Sequence, residues 1–143
     1  MKVDALLRSK GTAVVTVRPD QSVGDAVSIL TAHRIGALVV SPDRRIVAGI
    51  VSERDIVALL DSRQSAALDT SVASVMVTDV QTCNLTDEVA SLMRVMTNLR
   101  IRHLPVIQDG ELAGMVSIGD VVKARVDELE VDRDRLHDFI NAR

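Results

Sequence analysis

The sequence predicts an α/β fold: two pseudo-symmetric β-α-β-β-α repeats packed as one module, with an extended C-terminal helix. The first observation behind this is a repeated phrase. "GIVSERD" at 49–55 returns as "GMVSIGD" at 114–120, keeping Gly, a hydrophobic residue, Val, Ser and Asp in order. The second is that the match widens when the flanks are compared. Thr16 falls on Thr82, Val23 on Val89, and "RIGALVV" (34–40) on "RIRHLPV" (100–106). A turn shorter by one residue in the second copy then brings Gly49, Val51, Ser52, Asp55 and Val57 onto Gly114, Val116, Ser117, Asp120 and Val122. The third is that helix-like and strand-like hydrophobic spacing alternates in the same order in both copies. Self-similarity of this kind marks a duplicated structural unit.

The elements follow in order. Residues 12–17 and 80–83 are short β-rich runs that open the copies as strands. Residues 22–33 place apolar groups at Val23, Ala26, Val27 and Leu30, and 87–99 at Val89, Leu92, Met93 and Met96. Spacing of i, i+3, i+4, i+7 is one face of a helix. "GALVV" and "HLPVI" suit buried strands, and "SPDRR" and "QDGE" are turns. "IVAGIV" and "LAGMV" form another strand each, after which Ser52 or Ser117 opens the last helix. The lead-ins also agree in character: "VDALLRSKG" (3–11) precedes the first copy and "VASVMVTD" (72–79) the second. This divides the chain into a first repeat (1–60), a small, polar connector (61–71), a second repeat (72–125) and a helical extension (126–143). The extension continues an apolar stripe of Val122, Val126, Leu129, Leu136 and Ile140, interrupted by Arg133. It docks on its own domain or on a partner chain.

Composition narrows the function. Hydrophobic residues make up 47% of the 143, yet Phe139 is the one aromatic, so Val, Leu, Ile, Ala and Met must build the core. A repeat of about 50 residues buries too little surface alone, which requires the halves to pack together. The net charge of −3 and the lack of Trp and Tyr argue against nucleic-acid binding. The single Cys83 excludes an intramolecular disulfide and fits a reducing compartment. Since it ends a predicted strand, it reads as a small buried hydrophobe. "MKVDALLRSKG" lacks the apolar run of a signal peptide, and no run is long enough to span a membrane. A cytoplasmic location is the expectation.

The "RHLPV…DGELAGMVSIGD" string, doubled in a chain of this size, resembles a tandem pair of cystathionine-β-synthase (CBS) domains, the Bateman module, over about positions 1–125. The resemblance implies two repeats about a pseudo-twofold axis, pairing with a second chain into a flat four-repeat disc. It also implies clefts for adenosine compounds: AMP, ADP, ATP, NAD or S-adenosylmethionine. On the same basis Asp55 and Asp120 are the ribose acceptors, and Ser52 and Ser117 line the phosphate region. Ile50 and Met115, with Ile35 and Ile101, flank the adenine, and Gln21 belongs to the ligand-binding set.

The residue chemistry agrees. An Asp one turn into a helix can accept two hydrogen bonds from a cis-diol, each charge-assisted and worth about 1.5–3 kcal/mol. A Ser at the helix start, with free amides behind it, suits a phosphate oxygen. The same Ser-x-x-Asp spacing also makes a capping box whose only ligand is the helix's own backbone. The Asp can do both. The copies differ where charge matters: Gly36 and Ala37 become Arg102 and His103, and Arg54 becomes Gly119. By resemblance the Arg102–His103 pair faces the phosphates near the pseudo-twofold axis and can serve both clefts. Arg54 makes the Asp55 cleft the more basic of the two, unless it follows the usual preference of arginine for solvent. For His103 the competing role is structural.

No Gly-rich phosphate loop and no His-Glu-x-x-His helix occur, and His33, His103 and His137 have no metal-ligand spacing with Cys83. CBS pairs occur within inosine monophosphate dehydrogenase, whose chemistry resides in a barrel of about 250 residues, for which this chain has no room. The reading is a stand-alone, non-enzymatic regulatory module that needs no resident cofactor. It binds adenine nucleotides, AMP foremost, in two clefts and signals occupancy to an unidentified partner. The rival readings are a dimerising interaction module with vestigial clefts and, further off, an enzyme acting on the nucleotide.

Overall fold

Two small sheets, built alike, carry the fold of the computed structural model, which describes residues 1–142. In the first, β1 (Thr16–Val17) runs parallel to β2 (Ala37–Val40), which pairs antiparallel with β3 (Gly49–Ser52). In the second, β4 (Cys83–Asn84) is parallel to β5 (His103–Gln108), and β5 antiparallel to β6 (Glu111–Ser117). Helix α2 (Val23–His33) joins β1 to β2, and its counterpart α4 (Val89–Leu99) joins β4 to β5. Both helices stop on an arginine in the left-handed conformation, Arg34 (φ 53°) and Arg100 (φ 54°). Helices α3 (Glu53–Arg63) and α5 (Ile118–Asn141) follow the sheets. The expected α/β pseudo-dimer is present.

Some strands are shorter than their hydrophobicity predicts. Only Thr16–Val17 of the 12–17 run is strand, pairing with Val39 and Val40. Ile46 and Val47 stay outside β3 because Asp43 Oδ1 accepts from the amides of Arg45 and Ile46, both at 2.9 Å, and folds the turn outward. Ile46 is left 49% exposed.

The lead-ins are exchanged in space. Residues 3–10 open the first repeat in the chain but form α1 (Val3–Lys10), whose Val3, Leu6 and Leu7 are buried in the second repeat's core. That core includes Leu92, Met96, Leu104, Val106, Val116 and Val121. Val72, Val75 and Met76 open the second repeat in the chain but pack against Val23, Leu30, Leu38 and Val51 of the first. The segment expected to be a plain connector is structured too. After α3 ends at Arg63, residues Gln64–Asp69 form a 3₁₀ turn with Ala67 fully buried, and Val23 N donates to Thr70 O. The repeats also meet at their turns, where Leu112 N donates to Arg45 O at 2.8 Å and Arg45 pairs with Glu111.

Helix α5 is continuous through position 126, where the extension was expected to begin. Its 24 residues reach about 36 Å at 1.5 Å per residue. Val121 and Ala124 anchor it in the second core, and from Leu129 to Ala142 every residue is exposed. Among the described residues no helix is long and apolar enough to cross a membrane. Cys83 is a buried free thiol, and burial, with Asp87 nearby, pushes its pKa up to about 12.

Candidate functional site

Both repeated phrases fold into the same device. Asp55 N donates to Ser52 Oγ at 3.3 Å, while Asp55 Oδ2 accepts from Ser52 N and Ser52 Oγ, each at 2.9 Å. In the second repeat Asp120 N donates to Ser117 Oγ at 3.2 Å, and Asp120 Oδ2 accepts from Ser117 N at 2.8 Å. These are capping boxes, so the carboxylates do have the structural task. The register sets what lies beside each cap: Ala37 is paired with Ser52, and His103 with Ser117. Each helix's first amide reaches one residue further back, from Glu53 N to Gly36 O (3.0 Å) and from Ile118 N to Arg102 O (2.8 Å).

A cavity of about 590 Å³ opens beside Asp55, within the range of small-molecule sites. Gly36, Ala37, Ile50, Ser52, Arg54 and Asp55 line it from the first repeat, and Ile101, Arg102 and His103 from the second. The repeats touch here: a side chain added at Gly36 would lie 3.6 Å from His103 Cε1. Arg54 is exposed yet lines the cavity, so the solvent and cleft readings of it coincide.

The cavity also has walls that sequence reasoning missed. Glu53, Val57, Val77, Asp79, Val80, Gln81 and Arg100 line it as well. Arg100 was within reach, because it directly precedes the expected Ile101, Arg102 and His103. Residues 77–81 were not, because their position depends on the exchanged lead-in: Ile50 and Val77 bond backbone to backbone in both directions, at 3.0 and 2.9 Å. Three carboxylates, Glu53, Asp55 and Asp79, and three guanidinium groups, Arg54, Arg100 and Arg102, thus line the same cavity. The basic residues expected of this cleft are matched in number by acidic ones.

The remaining expected residues lie elsewhere. Gln21 does not join the cavity. It lines a separate recess of about 210 Å³ with Arg18 and Asp43, and Gln21 Oε1 accepts from Arg18 N at 2.9 Å. That recess includes Ser41, just past the end of β2 and about 13 Å along the chain from Ala37. Ile35 packs against the first core. Met115, Ser117, Gly119 and Asp120 surround the second cap, where Lys10 Nζ donates to Asp120 Oδ2 at 2.5 Å and to Met115 O at 2.8 Å.

Charge and burial tune two groups. Burial lowers the His103 pKa below its ordinary 6.5, with Arg102 and Lys10 acting in the same direction and Asp120 and Glu53 opposing. The balance favours the neutral imidazole. Burial would raise the Asp120 carboxyl, but hydrogen bonds from Lys10 and Ser117 outweigh it and hold the pKa below its ordinary range.

The CBS domain profile matches residues 10–62 and 72–127. This chain belongs to the CBS-domain family. Its two matched segments are tandem CBS domains, and its architecture recurs in solved CBS proteins. The CBS-domain protein ATU1752 from Agrobacterium tumefaciens is 46% identical, covering 87% of this chain and 99% of that one, with a TM-score of 0.84. The mitochondrial CBS domain-containing protein CBSX3 of Arabidopsis thaliana is 36% identical, over 96% of this chain and 71% of the relative. CBSX2, solved in complex with AMP, is 26% identical, covers 88% of this chain and 96% of that one, and superposes with a TM-score of 0.74.

Proposed function

We propose that this CBS pair is a non-enzymatic regulatory module that binds an adenine nucleotide, AMP foremost, beside Asp55 and signals occupancy to a partner protein. The observation that carries this is the chemistry around one cavity. An acceptor carboxylate stands at a helix start, Ile50, Val57, Val80 and Ile101 offer apolar walls, and Arg54 and Arg102 offer cations. A nucleotide needs all three: acceptors for ribose hydroxyls, an apolar slot for the base and cations for phosphate. The AMP complex of CBSX2 supports the choice of ligand. ADP, ATP and NAD are the variants of the same reading, and no resident cofactor is required. The working assembly is a homodimer of four repeats in the cytoplasm.

Thermal melting with AMP, ADP, ATP and NAD, against GMP as control, tests the reading. An adenine nucleotide at about a hundred times its dissociation constant adds about 2.7 kcal/mol of stability by mass action. No shift with any of them at millimolar concentration overturns it.

The second reading, a dimerising interaction module with vestigial clefts, draws on the exposed stripe of Val126, Leu129, Leu136 and Ile140 on α5. It predicts no nucleotide-dependent melting and a loss of self-association when α5 is cut after Glu128.

His103 adds a pH signature. A phosphate brought beside it raises a pKa that burial holds low, so nucleotide binding takes up a proton. Affinity for AMP therefore rises as pH falls from 7.5 towards 6. The AMP phosphate itself titrates near pH 6, so the readout is the difference between the parent and His103→Gln. Calorimetry in two buffers of unlike ionisation enthalpy measures the proton uptake, which is smaller in the variant. Equal uptake in both proteins removes His103 from the phosphate site.

A further inference from the structure

The two caps differ in what the exchanged lead-ins bring to them. Helix α1 lies close across the second sheet because Gly114 has no side chain: a Cβ there would stand 2.8 Å from Leu7 Cδ1. Lys10 follows Leu7 by three residues, which places it on the same face of the helix. Gly11 (φ 101°) ends α1 directly afterwards, its amide donating to Leu7 O at 2.7 Å. The Lys10 ammonium thus reaches Asp120 Oδ2 and Met115 O together, at 2.5 and 2.8 Å. Those two residues match Asp55 and Ile50, which line the open cavity of the first repeat.

The first repeat is built alike up to this point. Met76 covers Gly49 as Leu7 covers Gly114, its Sδ lying 2.7 Å from where a Cβ would be. Three residues beyond Met76 comes Asp79, which lines the cavity and carries the wrong charge to bridge Asp55. Among the described residues, Asp55 Oδ2 is held by its own helix cap alone, through Ser52 N and Oγ.

We propose that Lys10 is an internal latch on the Asp120 cleft, occupying the place a nucleoside would take, so that each chain presents one open nucleotide cleft, at Asp55. This rests on the nucleotide reading above and concerns which cleft is open. Ribose hydroxyls entering at Asp120 must replace an ammonium as donors to a carboxylate, exchanging a charged donor for neutral ones. A fully exposed ion pair would yield readily. Here the side chains are only 33% and 23% exposed, and the ammonium is also tied to a backbone carbonyl. A lysine in the last turn of α1 is further favoured by the helix dipole.

The experiment is a calorimetric titration of AMP into the full chain and into Lys10→Met, which keeps the methylene stem and loses the ammonium. Lys10→Gln is a second variant, and melting curves show that each protein is folded. The parent is expected to bind one AMP per chain and both variants two. The added site should disappear when Asp120→Ala is combined with Lys10→Met. A parent that already binds two per chain overturns the latch, and so do variants that still bind one. In both cases the nucleotide reading stands. AMP binding to none of the proteins overturns the nucleotide reading, and the latch with it.

Discussion

Asp55→Ala weakens AMP binding by about ten- to a hundredfold, the equivalent of losing one or two charge-assisted hydrogen bonds to a ribose. The substitution also removes half of the capping box, because Asp55 Oδ2 accepts from Ser52 N. Losing a cap costs about 1 kcal/mol of stability. Two measurements separate the effects. Asp55→Asn keeps an oxygen able to accept from Ser52 N, so it retains more of the stability, yet it lacks the negative charge that strengthens the ribose bonds. Calorimetry should therefore rank affinity as parent above Asn above Ala, while melting places Asn nearer the parent. If Asp55→Ala melts lower but binds AMP like the parent, the carboxylate is a cap alone.

Gly49→Ala is expected to destabilise the fold by about 2–3 kcal/mol, at the upper end for overpacking. Its Cβ would lie 2.7 Å from Met76 Sδ and 2.8 Å from Val77 O. A methionine side chain can turn away, but the Val77 carbonyl is fixed by its bond from Ile50 N at 3.0 Å. Gly114→Ala meets only the tip of Leu7, with contacts at 2.8 and 3.0 Å. That end is movable, so the cost there should be nearer 1 kcal/mol. Urea denaturation of the two variants gives the order, and a Gly114→Ala cost equal to or above that of Gly49→Ala contradicts the account. Removing Met76 as well should leave most of the Gly49→Ala penalty, since the carbonyl remains. Because Val77 leads into Asp79 and Gln81 on the cavity wall, Gly49→Ala should also lower AMP affinity.

What could be read from the chain alone was whatever depends on neighbours in sequence. The duplicated phrase, the helical spacing of Val23, Ala26 and Leu30, and the Ser-x-x-Asp caps are set by periodicity and by hydrogen bonds spanning three or four residues. They led to the pseudo-symmetric α/β pair, while the resemblance to CBS pairs placed Ser52, Arg54 and Asp55 at one cleft and Arg102 and His103 where they can serve both. Where the reading departed from the molecule, contacts distant in sequence decided the outcome. Gln21 was expected in the ligand-binding set, but it follows β1, which runs parallel to β2, and so lies at the opposite end of the sheet from Ala37. Asp79 and Gln81 enter the cavity, and Lys10 reaches Asp120, only because each lead-in packs against the other repeat. Both lead-ins offer apolar residues at similar spacing, so hydrophobicity alone does not say which core receives which. The choice is made by shape and chain path: α1 seats Leu7 on Gly114, and Val77 pairs with Ile50 beside Gly49. The sequence by itself determined two clefts on a common plan that differ at Arg54 and Gly119, and the tertiary structure added a difference of its own by delivering a lysine to one carboxylate and an aspartate beside the other.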